Sequence, residues 1–279
     1  MKKWNKNKKF FVGVDSDGTV FDSMTVKHKE AFIPAMIEEW KLDNYKEDLY
    51  DTAERINLYS SERGINRFPG LVRTFEDMEK LCGEDFPIHD YKALKDFVNS
   101  GLPMSNSGLE KYISKHPSAF LEQVLHWSKH ADDMFSHAAE KLMPFMHVDD
   151  VLKELHKSAD IMVVSAASYS GLFKDWTRAG LTKHTDGIAG QEFGSKSDQL
   201  AYALKSGYCK ENCLMIGDGI GDMTAAKDNG ILFYPIIPLR EEESWKRLKN
   251  EYLAHFLEGN YSGEIENSLC KEFIMSLDN

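Results

Sequence analysis

The chain has 279 residues, enough for a large core and one or two domains. A formal net charge of −11 argues against a nucleic-acid or anionic-membrane partner, although a local basic pocket can sit inside an acidic protein. Charged and apolar fractions are ordinary for a globular protein, and no apolar run reaches signal-peptide or membrane-spanning length, so the expected location is the cytoplasm.

The basic segment Met1–Lys9 leads into the apolar run Phe10-Phe11-Val12-Gly13-Val14, which stops at Asp15-Ser16-Asp17-Gly18-Thr19-Val20. A short apolar run ending in carboxylates reads as a buried parallel strand that delivers acids to its C-terminal end. In open α/β sheets that edge binds ligands. Asp15 and Asp17 are two residues apart, so extended backbone turns both to one side. Their repulsion is relieved by a cation or a shared proton. Gly18 permits a tight turn, and Thr19 adds a hydroxyl donor. The pattern suits chemistry on an anion with a divalent metal. An EF-hand reading fails, because the glycine comes too early and no helix precedes the loop. Asp22 reads as a loop carboxylate.

A long helical stretch follows. Apolar residues at helical spacing predict helices over 25–40, 45–59, 71–81, 90–98, 107–114 and 118–142, with Asp90 as an N-cap. Pro69, Pro87, Pro103 and Pro117 are placed between these segments as breakers. This block of about 120 residues has the size of a domain. Within it, Arg63-Gly64-Ile65-Asn66-Arg67 lies between helices. Arg63 or Arg67 there can bind anionic or hydroxyl groups of a substrate; a solvated linker is the alternative. His126, His130 and His137 fall at spacings of four and seven with no metal pattern to complete them.

Pro144 marks a boundary. Beyond it the pattern alternates: helix 148–157, strand 161–164 ending at Ser165, helix 171–179 with Gly180 as its cap, and a short strand 187–190. Helix 197–205, strand 213–216, helix 223–227 and strand 231–234 complete the series. Such alternation implies an α/β fold with a doubly wound parallel sheet, Rossmann-like. The tail 241–277 reads as two or three helices. The expected domains are therefore a core of residues 1–22 and 144–279, with a C-terminal helical extension over 241–279, and an inserted all-helical domain over 23–143. The insertion is expected to act as a lid. Among Cys82, Cys209, Cys213 and Cys270, only Cys209 and Cys213 are close, and nothing nearby completes a zinc site; reduced thiols are expected.

Gly217-Asp218-Gly219-Ile220-Gly221-Asp222 also follows an apolar strand and brings two more carboxylates to the same sheet edge. A dinucleotide reading fails, since the third glycine position holds Asp222. Four acids on two strand ends make an oxygen-rich setting suited to Mg²⁺. With Ser165 and Lys196, the order is Asp-x-Asp-Gly-Thr, Ser, Lys, then Gly-Asp-x-x-x-Asp. Ser168 is a weaker alternative to Ser165. Lys205, late in its helix, is a poorer choice than Lys196.

This ordered set resembles the haloacid dehalogenase superfamily, and within it the phosphatase-like members. The resemblance covers about residues 8–22 and 144–240. The insertion resembles the family's C1-type cap, larger than the four-helix version, and the tail has no counterpart. The resemblance implies that Asp15 is a nucleophile forming an aspartyl-phosphate, and that Asp17 protonates the leaving oxygen and later deprotonates water. It implies Mg²⁺ held by the Asp15 carboxylate, the Asp17 carbonyl, Asp218 and Asp222. It also implies that Ser165 binds phosphoryl oxygens, that Lys196 balances the nucleophile and phosphate charges, and that Thr19 supports the loop near the acid-base residue, all three at the substrate. The implied substrate is a small phosphorylated metabolite, with a sugar phosphate as the first guess. Haloacid dehalogenases and phosphonoacetaldehyde hydrolases generally lack the second Asp, and P-type ATPases need a Lys-Thr-Gly-Thr and membrane helices that are absent here. The alternatives are a phosphomutase of the β-phosphoglucomutase type and a non-catalytic metal- or phosphate-binding regulator.

Overall fold

The computed structural model describes residues 4–277. The chain divides into two compact units, Met1–Asp22 with Met143–Asn279, and Ser23–Leu142.

The first unit is built on five parallel strands: β1 (Phe10–Val14), β2 (Ala159–Val164), β3 (Gly187–Ala189), β4 (Cys213–Gly217) and β5 (Leu232–Pro235). Their order is β3-β2-β1-β4-β5. β1 is buried throughout, which is why it reads as a continuous apolar run. Alternate side chains feed two separate cores. Val12, Val14, Ile161, Val163, Leu214 and Ile216 face one, with Trp176 and Trp245. Phe11, Met162, Val164, Met215 and Phe233 face the other, with Leu200 and Ala226. Helices thus cover both faces, as the doubly wound reading requires. Gly13 lets a helix come close: a Cβ there would lie 2.8 Å from Leu200 Cδ2 and 3.0 Å from Met215 Sδ.

The C-terminal segment forms a helical rod over 241–258, with a π-helical turn at Leu248–Tyr252, and a last helix, Glu264–Leu277. It closes the exposed side of β5. The Phe233 N–H donates to Glu266 Oε1 at 2.9 Å, and Tyr261 O–H donates to the Phe233 carbonyl at 2.8 Å. An open strand edge is a pairing hazard, and the extension satisfies this one internally.

The second unit contains only helical regular elements, packed around Phe32, Phe68, Phe75, Phe97 and Trp127. Three local readings need correction. The run predicted as one helix over 25–40 contains a π-helical turn at His28–Phe32, ending two residues before Pro34. Proline removes an N–H and crowds the preceding turn, and the wider turn accommodates it. Pro69 lies inside the helix Arg67–Cys82, in its first turn, where the missing N–H would have no intrahelical partner. Asp90 caps nothing: the helix begins at Lys92 with Tyr91 at the N-cap position and no side-chain capping bond. Ser105 and Ser118 do cap their helices, accepting from Gly108 N–H and Leu121 N–H.

Candidate active site

Register places the acids. Val14 pairs with Ile216, and Asp15 N–H donates to the Ile216 carbonyl at 3.0 Å. The segments after β1 and β4 therefore leave the sheet side by side at its C-terminal edge. Among the described residues, Asp15, Asp218 and Asp222 form the one group of three His, Cys, Asp or Glu side chains with ligand atoms mutually within 4.8 Å, and all three are buried. Asp17 is half-buried, and its carboxylate is not in that group.

Lys196 begins the helix Lys196–Leu204, whose N-terminus is fixed by a capping box between Ser195 and Asp198. Its Nζ lies 3.1 Å from Asp15 Oδ1 and 2.7 Å from Asp222 Oδ1. Lys205 is at the opposite end of that helix. Burial lowers the Lys196 ammonium, but the Asp15 and Asp222 carboxylates outweigh it and hold the group above its ordinary value. Burial pushes Asp15 well above the usual carboxylate range, Lys196 opposes this, and Asp222, Asp218 and Asp17 add to it. Burial raises Asp222 as well, with Lys196 opposing.

The site fits a divalent cation. Three carboxylates against one ammonium leave negative charge in excess in a buried place. Asp15 Oδ1 is buried and receives no hydrogen bond of acceptable geometry, even with Lys196 Nζ nearby. An all-oxygen donor set of this kind suits Mg²⁺.

Ser165 follows β2 and is buried. Its Oγ accepts from Ala167 N–H at 3.1 Å. Ser168 instead caps the helix Tyr169–Arg178, accepting from Gly171 N–H at 3.3 Å. Thr19 is fully buried and donates its hydroxyl to Asp218 Oδ1 at 2.6 Å. The two arginines have partners within the helical unit. Arg63 is buried and donates to the Leu58 carbonyl at 2.7 Å. Arg67 donates to Ser128, pairs with Asp132 at 2.7 Å and stacks over Phe32.

Sequence reasoning missed the residues that hold these groups in place. Gln199 is fully buried. Its Oε1 accepts from Ser165 N–H at 3.1 Å, and its Nε2 donates to the carbonyls of Ser165, Gly190 and Gly194 at 3.0–3.1 Å. One amide thus ties the Ser165 loop to the loop that leads into Lys196. Its position one helical turn after Lys196 was the available signal. Trp176 and Trp245 also reach the Asp15–Thr19 loop, and neither had a local signature.

The family model for haloacid dehalogenase-like hydrolases matches residues 89–236, more than half of the chain. No curated protein matches in sequence. Among solved structures, a candidate β-phosphoglucomutase of Thermotoga maritima shares 16% identity over 87% of this chain and 99% of its own, with a TM-score of 0.52. A predicted phosphoglycolate phosphatase of Haemophilus somnus shares 12% identity over 85% of this chain and 93% of its own, with a TM-score of 0.52. A candidate phosphoglycolate phosphatase of Lactobacillus delbrueckii shares 16% identity over 82% and 87%, with a TM-score of 0.51. At these identities the likeness is one of fold.

Proposed function

The chain belongs to the haloacid dehalogenase-like hydrolases, and from that premise we propose that it is a Mg²⁺-dependent phosphohydrolase acting on a small phosphorylated metabolite through a phosphoryl-aspartate. The observation that carries the reading is the buried Asp15–Asp218–Asp222 cluster with Lys196 inserted between Asp15 and Asp222. A cation held by those three carboxylates would offset the repulsion between an anionic nucleophile and a phosphoryl group.

The chain's own residues supply the rest. A carboxylate oxygen of Asp15 attacks phosphorus, and the bond from phosphorus to the substrate oxygen breaks. Asp17 gives its proton to that oxygen as it leaves. Water then attacks the phosphorus of the Asp15 acyl phosphate, Asp17 takes a proton from it, and phosphate leaves with the Asp15 carboxylate restored. Lys196 balances charge beside Asp15 throughout, and Ser165 with neighbouring backbone N–H groups would receive the phosphoryl oxygens. Asp17 favours this reading over dehalogenation, because a halide departs without a proton and gives an acid at that position nothing to do.

The test is Mg²⁺-dependent phosphate release from p-nitrophenyl phosphate and a panel of phosphorylated metabolites, comparing wild type, Asp15→Asn and Asp17→Asn. The expected result is release that needs both the metal and Asp15. Full activity in Asp15→Asn, or release unaffected by a chelator, refutes the proposal. Isomerisation of a sugar phosphate without release assigns a mutase instead.

A further inference from the structure

The Asp15–Phe21 loop is tightly wound on itself. Val20 N–H and Phe21 N–H both donate to the Ser16 carbonyl, at 2.9 and 3.1 Å, and Gly18 N–H donates to the Phe21 carbonyl at 2.8 Å. Gly18 takes a left-handed conformation, φ +76°. These bonds shape the loop. At its two ends it is tied to its surroundings by main-chain bonds, Asp15 N–H to the Ile216 carbonyl at 3.0 Å and Phe145 N–H to the Val20 carbonyl at 2.9 Å. Between them two indoles hold it. Trp176 Nε1 donates to Ser16 Oγ at 3.0 Å, and Trp245 Nε1 donates to the Thr19 carbonyl at 2.8 Å. Both rings are fully buried and pack in the core on one face of the sheet. The two contacts flank Asp17, one residue before it and two after it. Thr19, held at its carbonyl by Trp245, spends its hydroxyl on Asp218.

We propose that Trp176 and Trp245 are positioning residues that brace the acid-bearing loop before and after Asp17, and that Trp245 acts on the metal-binding cluster through Thr19 and Asp218. The C-terminal extension then becomes part of the working site. Trp245 lies in the C-terminal segment, beyond β5 and 226 positions from the Thr19 carbonyl that it meets. A buried Trp needs a partner for its N–H, and main-chain carbonyls are common partners. Here the partner lies on the loop carrying the proposed nucleophile and acid, and the same residue holds a proposed metal ligand. Groups behind a metal ligand set its orientation, and removing them costs about 10–100-fold in metal affinity or activity. The inference rests on the proposed role of the Asp15 cluster.

The test measures Mg²⁺ binding by titration calorimetry on the full, untagged chain, alongside kcat and KM for phosphate release. Trp245→Phe removes the N–H and keeps most of the ring. Trp127→Phe is the control, because Trp127 is equally buried and donates to a main-chain carbonyl, that of Phe32 at 3.0 Å, in the other unit. Trp245→Phe is expected to weaken Mg²⁺ binding about 10-fold and to lower kcat, with the control unchanged. Thr19→Val should do the same, and the double variant Thr19→Val/Trp245→Phe should be no worse than Thr19→Val, since both lie on one path. Trp176→Phe, acting beside Asp15, gives an independent second reading, so either tryptophan variant that folds by circular dichroism carries the test. Wild-type Mg²⁺ affinity in the folded variants, an equal loss in Trp127→Phe, or additive losses in the double variant overturns the inference. Asp218→Asn separates the two levels. If it leaves Mg²⁺ binding intact, the reading of the cluster fails; if it abolishes binding while Trp245→Phe does not weaken it, the brace alone fails.

Discussion

Replacing Lys196 with methionine keeps most of the side-chain volume and removes the one charge that neutralises the acid cluster from within. Lys196 is 20% exposed, Asp15 is 5% and Asp222 is 1% exposed, and the ammonium lies 3.1 and 2.7 Å from them. Breaking a buried ion pair by deleting one partner costs about 3–5 kcal/mol, because the remaining charge is left without compensation. Two features place the cost near the lower end. The ammonium is one-fifth open to water, and burial already raises Asp15 and Asp222, so a proton can replace part of the lost charge. A loss of about 3 kcal/mol is a large part of a typical domain stability of about 5–15 kcal/mol. It corresponds to a fall of about 6–12 °C in melting temperature for a domain of this size. The assay is urea and thermal unfolding of wild type and Lys196→Met at neutral pH, in chelator and in saturating Mg²⁺. The deficit should be largest in chelator and shrink with Mg²⁺, since the cation takes over part of the neutralisation. A deficit under about 1 kcal/mol in chelator, or one that Mg²⁺ leaves unchanged, refutes the electrostatic argument.

Three further outcomes follow from single contacts. His28 is buried, and burial first, then Lys27, Arg63 and Arg67, lowers its imidazole to about 3. The folded state therefore keeps it neutral, so its contribution is complete above the unfolded value and is lost as pH falls from about 6.5 towards 3; near pH 5 the loss is about 2 kcal/mol, and His28→Phe should flatten that slope in urea unfolding measured against pH. Gly217→Ala puts a Cβ 2.4 Å from Asp222 Cβ and Cγ, which must displace that carboxylate; Mg²⁺ calorimetry should show weaker binding, with a stability cost of about 1–3 kcal/mol. Gln199→Leu takes the buried amide from the Ser165, Gly190 and Gly194 carbonyls, while the Ser165 N–H keeps the Ala189 carbonyl and the Gly190 carbonyl keeps the Phe193 N–H; the cost is about 3 kcal/mol in total, and phosphate release should fall because Ser165 and Lys196 lose their common tie.

What was readable in advance depended on how local the cause was. Strands of a parallel sheet are buried on both faces, so Phe10–Val14 and Cys213–Gly217 stand out as unbroken apolar runs. Acids that end such runs stand out too, which is why Asp15 and Asp218 could be found without coordinates. Helix ends were less legible. The π-helical turn before Pro34 and the first-turn position of Pro69 both depend on which backbone N–H groups have partners, and composition does not say. The bracing residues were not legible at all. Trp176 meets Ser16 across 160 positions, and Trp245 meets Thr19 across 226. A tryptophan that donates to the acid-bearing loop and one that only fills a core look the same in sequence.

The same topology explains why so dispersed a set of residues becomes one site. β1 lies in the middle of the sheet, between β2 and β4, and all three run parallel. Their C-terminal ends therefore open onto one edge, and each contributes the residue that follows it: Asp15, Ser165 and, one residue beyond Gly217, Asp218. A helix that returns over the sheet must start near that edge before it reaches the next strand's beginning. Lys196 starts such a helix, which is why its ammonium reaches Asp15 and Asp222 while Lys205, at the far end, does not. Converging carboxylates in this way concentrates charge that folding alone does not relieve. Lys196 offsets part of it, Thr19 and Gly219 N–H supply hydrogen bonds, and Asp15 Oδ1 still has only the nearby Lys196 ammonium and no well-formed hydrogen bond. A dication added to that place should therefore stabilise the fold as well as serve the reaction, and Mg²⁺ should raise the melting temperature of the wild type but not of Asp218→Asn. A Tm that does not respond to Mg²⁺ in the wild type would separate the acid cluster from metal binding and leave its repulsion to protonation.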